Sequence, residues 1–306
     1  MDNIIETCNL TKHYGKIHAV NDVSLSVRKG EIYGFLGLNG AGKTTVIRLL
    51  LGMVRPTSGL SYLYGKRVSA GNHKLWKNVG YIVETPYSYP DLTVRENLEI
   101  SCRLRYMSSS SVDVVIDKLQ LGLYTDRKAK NLSQGNAQRL GLAKALLHNP
   151  DILILDEPSN GLDPAGIFEI RELLRNLALN HGVTIFISSH ILGEISKFAT
   201  RIGIIHEGRL IQELDTDQLD RLCRKRLLLK ALDKEGARKM LIKEGYSVNV
   251  AEEGVLEIED EKAINHPEEI ATMLVNAGLP PTLLIVEEEN LESYFLRTIG
   301  MNRGVK

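Results

Sequence analysis

Two short stretches hold residue types that could do chemistry together. FLGLNGAGKTT, residues 35 to 45, places four residues between Gly37 and Gly42-Lys43-Thr44, after a strand-like run and before the helix-like VIRLLLG. Glycines at 37, 40 and 42 let the backbone curl so that successive N–H groups face one anion, and a helix N-terminus adds its positive end. Lys43 would reach the β- and γ-phosphates of a polyphosphate, and the Thr44 hydroxyl would ligate Mg2+. ILILDEPSNGLDP, residues 152 to 164, ends a wholly apolar run in two adjacent acids. Such a carboxylate is costly to desolvate unless it meets a cation or a proton. Asp156 is expected beside the Mg2+ held at Thr44. Glu157, on the other side of the chain, is expected to be free to accept a proton from an attacking water.

The elements that must position these residues follow from hydrophobic spacing. Strand-like runs at 32–37, 79–83, 151–156, 183–188 and 201–206 alternate with helical patterns at 94–105, 112–119, 136–148 and 166–180. That alternation predicts an α/β core over residues 1–218, with a helical insertion at about 91–135. After Gln218 a basic cluster, Arg221, Arg224, Lys225 and Arg226, reads as a solvated linker or helix end, with contact to lipid headgroups as the sharper alternative. Beyond it, residues 219–306 read as a small α+β domain. Its β-α-β-β-α-β order of the split, ferredoxin-like type includes a hairpin across YSVNVAEEGVLEIED.

Composition limits the function classes. The 306 residues are 43% hydrophobic and 25% charged, ordinary for a globular chain, and the formal net charge is +0. A neutral chain has no global field for nucleic acid, so a nucleic-acid partner is not expected. Cys8, Cys102 and Cys223 are widely spaced and suit a reducing compartment. No apolar run approaches the roughly 18 residues that span a bilayer. Work at a membrane would therefore need another chain.

The order Tyr14, GLNGAGKTT, LSQGN at 132 to 136, ILILDEP, SNGLDP and an isolated His190 resembles the nucleotide-binding subunit of an ABC transporter, with its P-loop NTPase fold. The resemblance covers residues 4 to about 213. It implies ATP and Mg2+ as ligands, with Asn39, Gly40, Gly42, Lys43, Thr44 and Thr45 around the phosphates and Tyr14 stacked on adenine. Glu157 would be the base, with Lys43 and His190 at the γ-phosphate. Thr44, Asp156 and Glu84 would be the metal partners. Ser133 and Gly135 would face the γ-phosphate bound on a partner subunit, and Asp163 would lie in the loop that communicates between subunits. That arrangement implies a second nucleotide-binding subunit, as a homodimer, and a separate membrane permease at the cytoplasmic face of the membrane.

Two departures stand out. Gln134 and Asn136 replace the usual residues of LSGGQ, and Glu84 stands where the family usually has glutamine, keeping an acceptor and losing a donor. The segment VGYIVETPYSYPDLTVRENL and the ending LESYFLRTIG resemble ATPases of bacitracin and lantibiotic export or immunity transporters. Tyr87, Tyr89 and Pro90 would then be candidate contacts to the permease. Two other readings remain open at this level: a soluble ABC-type ATPase acting on ribosomes or DNA, and a low-turnover ATP-gated regulatory subunit.

Overall fold

The computed structural model describes residues 3–69, 71–84, 86–251 and 254–301. Contacts divide the chain into two compact units, 1–217 and 218–306. The first unit runs β1 (Asn3–Tyr14), β2 (Ile17–Arg28), β3 (Ile32–Leu36), α1 (Lys43–Leu50), β4 (Ser58–Leu63), β5 (Lys66–Arg67) and β6 (Val79–Ile82). It continues through α2 (Val94–Leu104), α3 (Ser110–Lys118), α4 (Gln134–Leu146), β7 (Ile152–Asp156), α5 (Pro164–His181), β8 (Thr184–Ser189), α6 (Leu192–Ile195), β9 (Arg201–His206) and β10 (Arg209–Asp215).

Six strands form one sheet in the order β10-β9-β3-β8-β7-β6, parallel except for β10. Strands β3, β7 and β8 are buried at every position, as a sheet covered on both faces requires. Because β3, β8 and β7 are adjacent and parallel, whatever follows each of them emerges at one edge of the sheet. A second, antiparallel sheet, β2-β1-β4-β5, packs its apolar side chains into the same core, where Ile5, Val23 and Leu63 join Phe35, Ile47 and Phe186. The twelve-residue strands β1 and β2 do not read as strands from apolar/polar alternation, because register shifts around Leu10 break the period of two.

Local signals account for the helix ends. Thr93 and Glu96 form a reciprocal capping box at the start of α2. Asp163 caps α5 ahead of Pro164, and Gly182, at φ 66°, closes it. Helices α2 and α3 and two 3-10 turns fill the segment expected as a helical insertion.

The second unit comprises α7 (Leu219–Leu222), β11 (Lys225–Ala231), α8 (Lys234–Lys243), β12 (Val248–Val250), β13 (Leu256–Ile258), α9 (Glu261–Asn265), α10 (Pro267–Asn276), β14 (Pro281–Glu288) and α11 (Leu291–Thr298). Its antiparallel sheet has the order β12-β13-β11-β14. Leu227, Leu229, Leu256 and Ile258 meet Leu241, Ile270 and Leu274 in a core of its own. Part of the expected hairpin turn, Glu252 and Glu253, lies outside the described residues. The basic cluster divides: Arg221 lies in the last turn of α7, as the helix-end reading expects, but the C-terminal pair is not a linker. Lys225 and Arg226 lie in β11, and Arg226 Nη1 donates to Glu257 Oε1 (2.6 Å) while its Nε donates to Glu287 Oε2 (2.8 Å).

Candidate functional site

The loop after β3 is shaped by close approach. A Cβ on Gly37 would lie 2.6 Å from the Ile205 carbonyl oxygen, and one on Gly42, at φ 109°, 2.5 Å from that of Ala19. Neither position admits a side chain, so the turn is held tight against neighbouring backbone. Asn39 and Gly40 lie in the same loop, Lys43 opens α1, and Thr44 and Thr45 follow in its first turn. The amides of this first turn lack partners within the helix, which leaves them to an anion.

Lys43 is buried, with 5% of its side chain exposed. Its Nζ donates to the Gly37 carbonyl (2.7 Å) and the Leu38 carbonyl (3.2 Å) and pairs with Glu157 Oε1 at 3.0 Å. Thr44 Oγ1 donates to Asp156 Oδ2 (2.7 Å), and Ser188 Oγ donates to Asp156 Oδ1 (2.6 Å). Asp156 is 4% exposed, and both oxygens are satisfied by hydroxyls. A hydroxyl and a carboxylate, both hard oxygen donors, suit Mg2+, which keeps water and phosphate oxygens in the rest of its octahedron.

Glu157 is not free, contrary to the expectation from sequence. His190 Nδ1 lies 2.8 Å from Glu157 Oε2, and Asn160 Nδ2 donates to the same oxygen at 2.8 Å. An ionised carboxylate only accepts, so His190 carries its proton on Nδ1. Burial pushes the Glu157 carboxyl up, but Lys43, Asn160 and His190 together hold it below the usual range. Its backbone is also unusual: φ is 47°, a left-handed conformation costing about 1 kcal/mol or more outside glycine. The Glu157 N–H donates to Ser188 Oγ (3.0 Å), so one serine holds both neighbouring acids.

The remaining expected site residues lie apart from this cluster in their contacts. Tyr14, at the end of β1, is 44% exposed, with Lys12 Nζ 5.0 Å from its ring centroid. Ser133 caps α4 by accepting from the Asn136 N–H (3.3 Å), which leaves its hydroxyl hydrogen available. A Cβ on Gly135 would come within 3.2 Å of Leu162, and Gln134 lies against Gly161, so the LSQGN turn packs on the SNGLDP loop. Asp163 accepts from the Gly166 N–H (2.9 Å) as a helix cap. Glu84 makes no hydrogen bond to Thr44 or Asp156. Its carboxylate pairs with Arg48 at 2.7 Å, and its φ is 54°.

Ser188, Asn160 and Arg48 were not anticipated. For Ser188 a signal exists: VTIFISSH ends a buried apolar strand in two hydroxyls, which need polar partners there. Asn160 and Arg48 carry no comparable mark.

The family profile described as ABC transporter matches residues 20–160. The chain is 40% identical over 304 residues to the bacitracin transport ATP-binding protein BcrA of Bacillus licheniformis, covering 98% of each chain. The chain belongs to the ABC transporter family of ATP-binding proteins. This ABC chain is also 40% identical to the lantibiotic transport ATP-binding protein SrtF of Streptococcus pyogenes, over 70% of its own length and 92% of that protein's. Its fold matches a dimeric ATP-binding cassette bound to ADP and Pi in a post-hydrolysis state, at TM-score 0.65 and 26% identity, covering 70% of this chain and 99% of that one. The α/β core is that of an ABC ATPase, and the chain is the ATP-binding subunit of an ABC transporter.

Proposed function

We propose that this ABC subunit hydrolyses ATP with Mg2+ to drive a separate membrane permease that exports a peptide antibiotic of the bacitracin or lantibiotic type. The observation carrying the catalytic reading is the cluster of Lys43, Thr44, Asp156, Glu157 and His190 at one edge of the sheet. The cargo rests on the relatives' names and on full-length similarity to the bacitracin transport protein. Among the described residues no helix is long and apolar enough to cross a membrane, which suits a peripheral subunit on the cytoplasmic face. Residues 1–218 act as the nucleotide-binding domain and 219–306 as an accessory domain.

Asn39, Gly40, Gly42 and Thr45 line the phosphate loop, and Tyr14 takes the adenine on its exposed ring. Thr44 and Asp156, with Glu84 on release from Arg48, would hold Mg2+, which would supply positive charge against the triphosphate. Lys43 and His190 turn from Glu157 toward the γ-phosphate. Glu157 thereby loses the Lys43 cation and the His190 N–H contact that hold its carboxyl down and becomes a stronger base for the attacking water. Substrate binding and activation of the base are one exchange of partners. Ser133 and Gly135 complete the γ-phosphate contacts of a second subunit. That subunit is another copy of this chain.

Tyr87 and Tyr89 project from the segment before α2 at the side of a cleft of about 500 Å3 lined by Arg48, Tyr81, Glu84, Tyr87, Leu104 and Lys144. This cleft receives the permease. Replacement of Glu157 by Gln is expected to lower phosphate release by about 100-fold or more while ATP affinity changes little. Cells carrying E157Q should lose resistance to the exported peptide. Wild-type turnover in that variant would remove Glu157 as the base.

A further inference from the structure

The sheet of the second unit ends unevenly. One edge is β12, three residues long; the other is β14, eight residues long, which pairs only with β11. Folded proteins guard a long edge with lysine, internal proline, a bulge or a covering element. From Thr282 to Glu288, β14 has no lysine and no proline. Its register with β11 is continuous from Lys225–Glu288 to Lys230–Leu283. Antiparallel alternation turns half of its backbone N–H and C=O groups away from β11, and among the described residues no other element receives them. One face of the sheet is filled by Leu241, Ile270 and Leu274. The other leaves Leu283 40% and Ile285 51% exposed.

We propose that β14 pairs antiparallel with β14 of a second copy of this chain across a two-fold axis, joining two four-stranded sheets into one of eight strands. The charge pattern selects both occupant and direction. Apolar residues occupy the middle of the strand, and the acids Glu287 and Glu288 lie at one end only. Antiparallel self-pairing about Leu284 sets Leu283 against Ile285 and Glu287 against Pro281. Parallel pairing would stack Glu287 on Glu287 and Glu288 on Glu288, which repel. The two-fold consumes both long edges and leaves only the three-residue β12 edges, so assembly closes at two chains. This pairing requires no nucleotide and therefore goes beyond the head-to-tail ATP dimer. It would raise the effective concentration of one nucleotide-binding unit for the other.

The test is light scattering and amide hydrogen exchange on the full chain without nucleotide, at micromolar concentration. Wild type is expected at the mass of two chains, with slow exchange along β14. Leu283→Lys with Ile285→Lys sets lysines opposite each other across the axis, at exposed positions where the fold tolerates them. That variant is expected to dissociate at least tenfold more readily, with fast β14 exchange and unchanged ATP affinity. A single-chain wild type, or a dimer indifferent to the two lysines, overturns the proposal. A nucleotide-free monomer that pairs only when ATP is added to the E157Q chain also overturns it, yet leaves the nucleotide reading intact. A lysine-sensitive dimer of a chain that binds no ATP supports β14 pairing and sinks the nucleotide reading instead.

Discussion

At Glu84 and Glu157 two glutamates occupy left-handed backbone, where a side chain is strained. Strain of that kind persists only where surrounding contacts hold it, and here each carboxylate is also tied to a cation, Arg48 or Lys43. The two ties differ in worth. The pair between Arg48 and Glu84 is well exposed, and such pairs contribute about 1 kcal/mol or less. Replacing Glu84 by Gln should therefore move the unfolding free energy by under about 1 kcal/mol in a urea titration. It should also raise the Mg2+ concentration needed for half-maximal ATP turnover, since the proposed metal role assigns that carboxylate to Mg2+. An unshifted Mg2+ response would take Glu84 out of the metal site and leave it as the partner of Arg48 alone.

At the scale of elements, the junction between α4 and β6 has a pH dependence built in. His148 follows α4, and its Nε2 lies 3.1 Å from the Val79 carbonyl, so Nε2 carries the proton of the neutral ring. Burial first, and the Arg105 charge second, push its pKa down to about 4. The unfolded chain then binds this proton more tightly than the folded one, so stability falls as pH drops from the ordinary histidine value toward 4. Wild type should lose stability relative to His148→Gln over that window, read as the difference between their urea midpoints from pH 7 to 4. A constant difference would show that the ring titrates normally. Two residues from the end of α4, Lys144 is pushed by burial to about 8, yet donates to the Tyr87 carbonyl (3.0 Å), Ser88 Oγ (3.0 Å) and Asn97 Oδ1 (3.3 Å). One helix thus begins at Ser133 and, near its other end, pins the tyrosine-bearing segment. The LSQGN turn and the proposed permease cleft lie at the two ends of one helix.

For the whole molecule, transport requires that ATP turnover and permease movement stay connected. Tyr89 packs edge-on against Tyr87 at 5.7 Å between ring centroids, and its N–H donates to buried Asn97, so its backbone is fixed while its ring is partly exposed. Tyr89→Asp should leave ATP binding unchanged and reduce peptide resistance in cells about as far as E157Q does. Unchanged resistance would move the permease contact elsewhere. The phosphate loop, the paired acids, the parallel core and the β-α-β-β-α-β order were legible in the sequence, because each is written in local spacing: glycines before a helix, acids after an aliphatic strand, a period of two or 3.6. Strands β1 and β2 were not, since bulges near Leu10 disrupt that period. Nor were the partners of Glu157 and Glu84, because Lys43 and Arg48 are distant in sequence and meet them only once α1, which carries both cations, packs on the sheet against β7. The chain's chemical repertoire was thus set by residue type and short-range order. Which carboxylate is ionised against which cation, and which edge strand is left open, was decided only by tertiary structure, because charge pairing and strand order depend on distances that linear spacing does not contain.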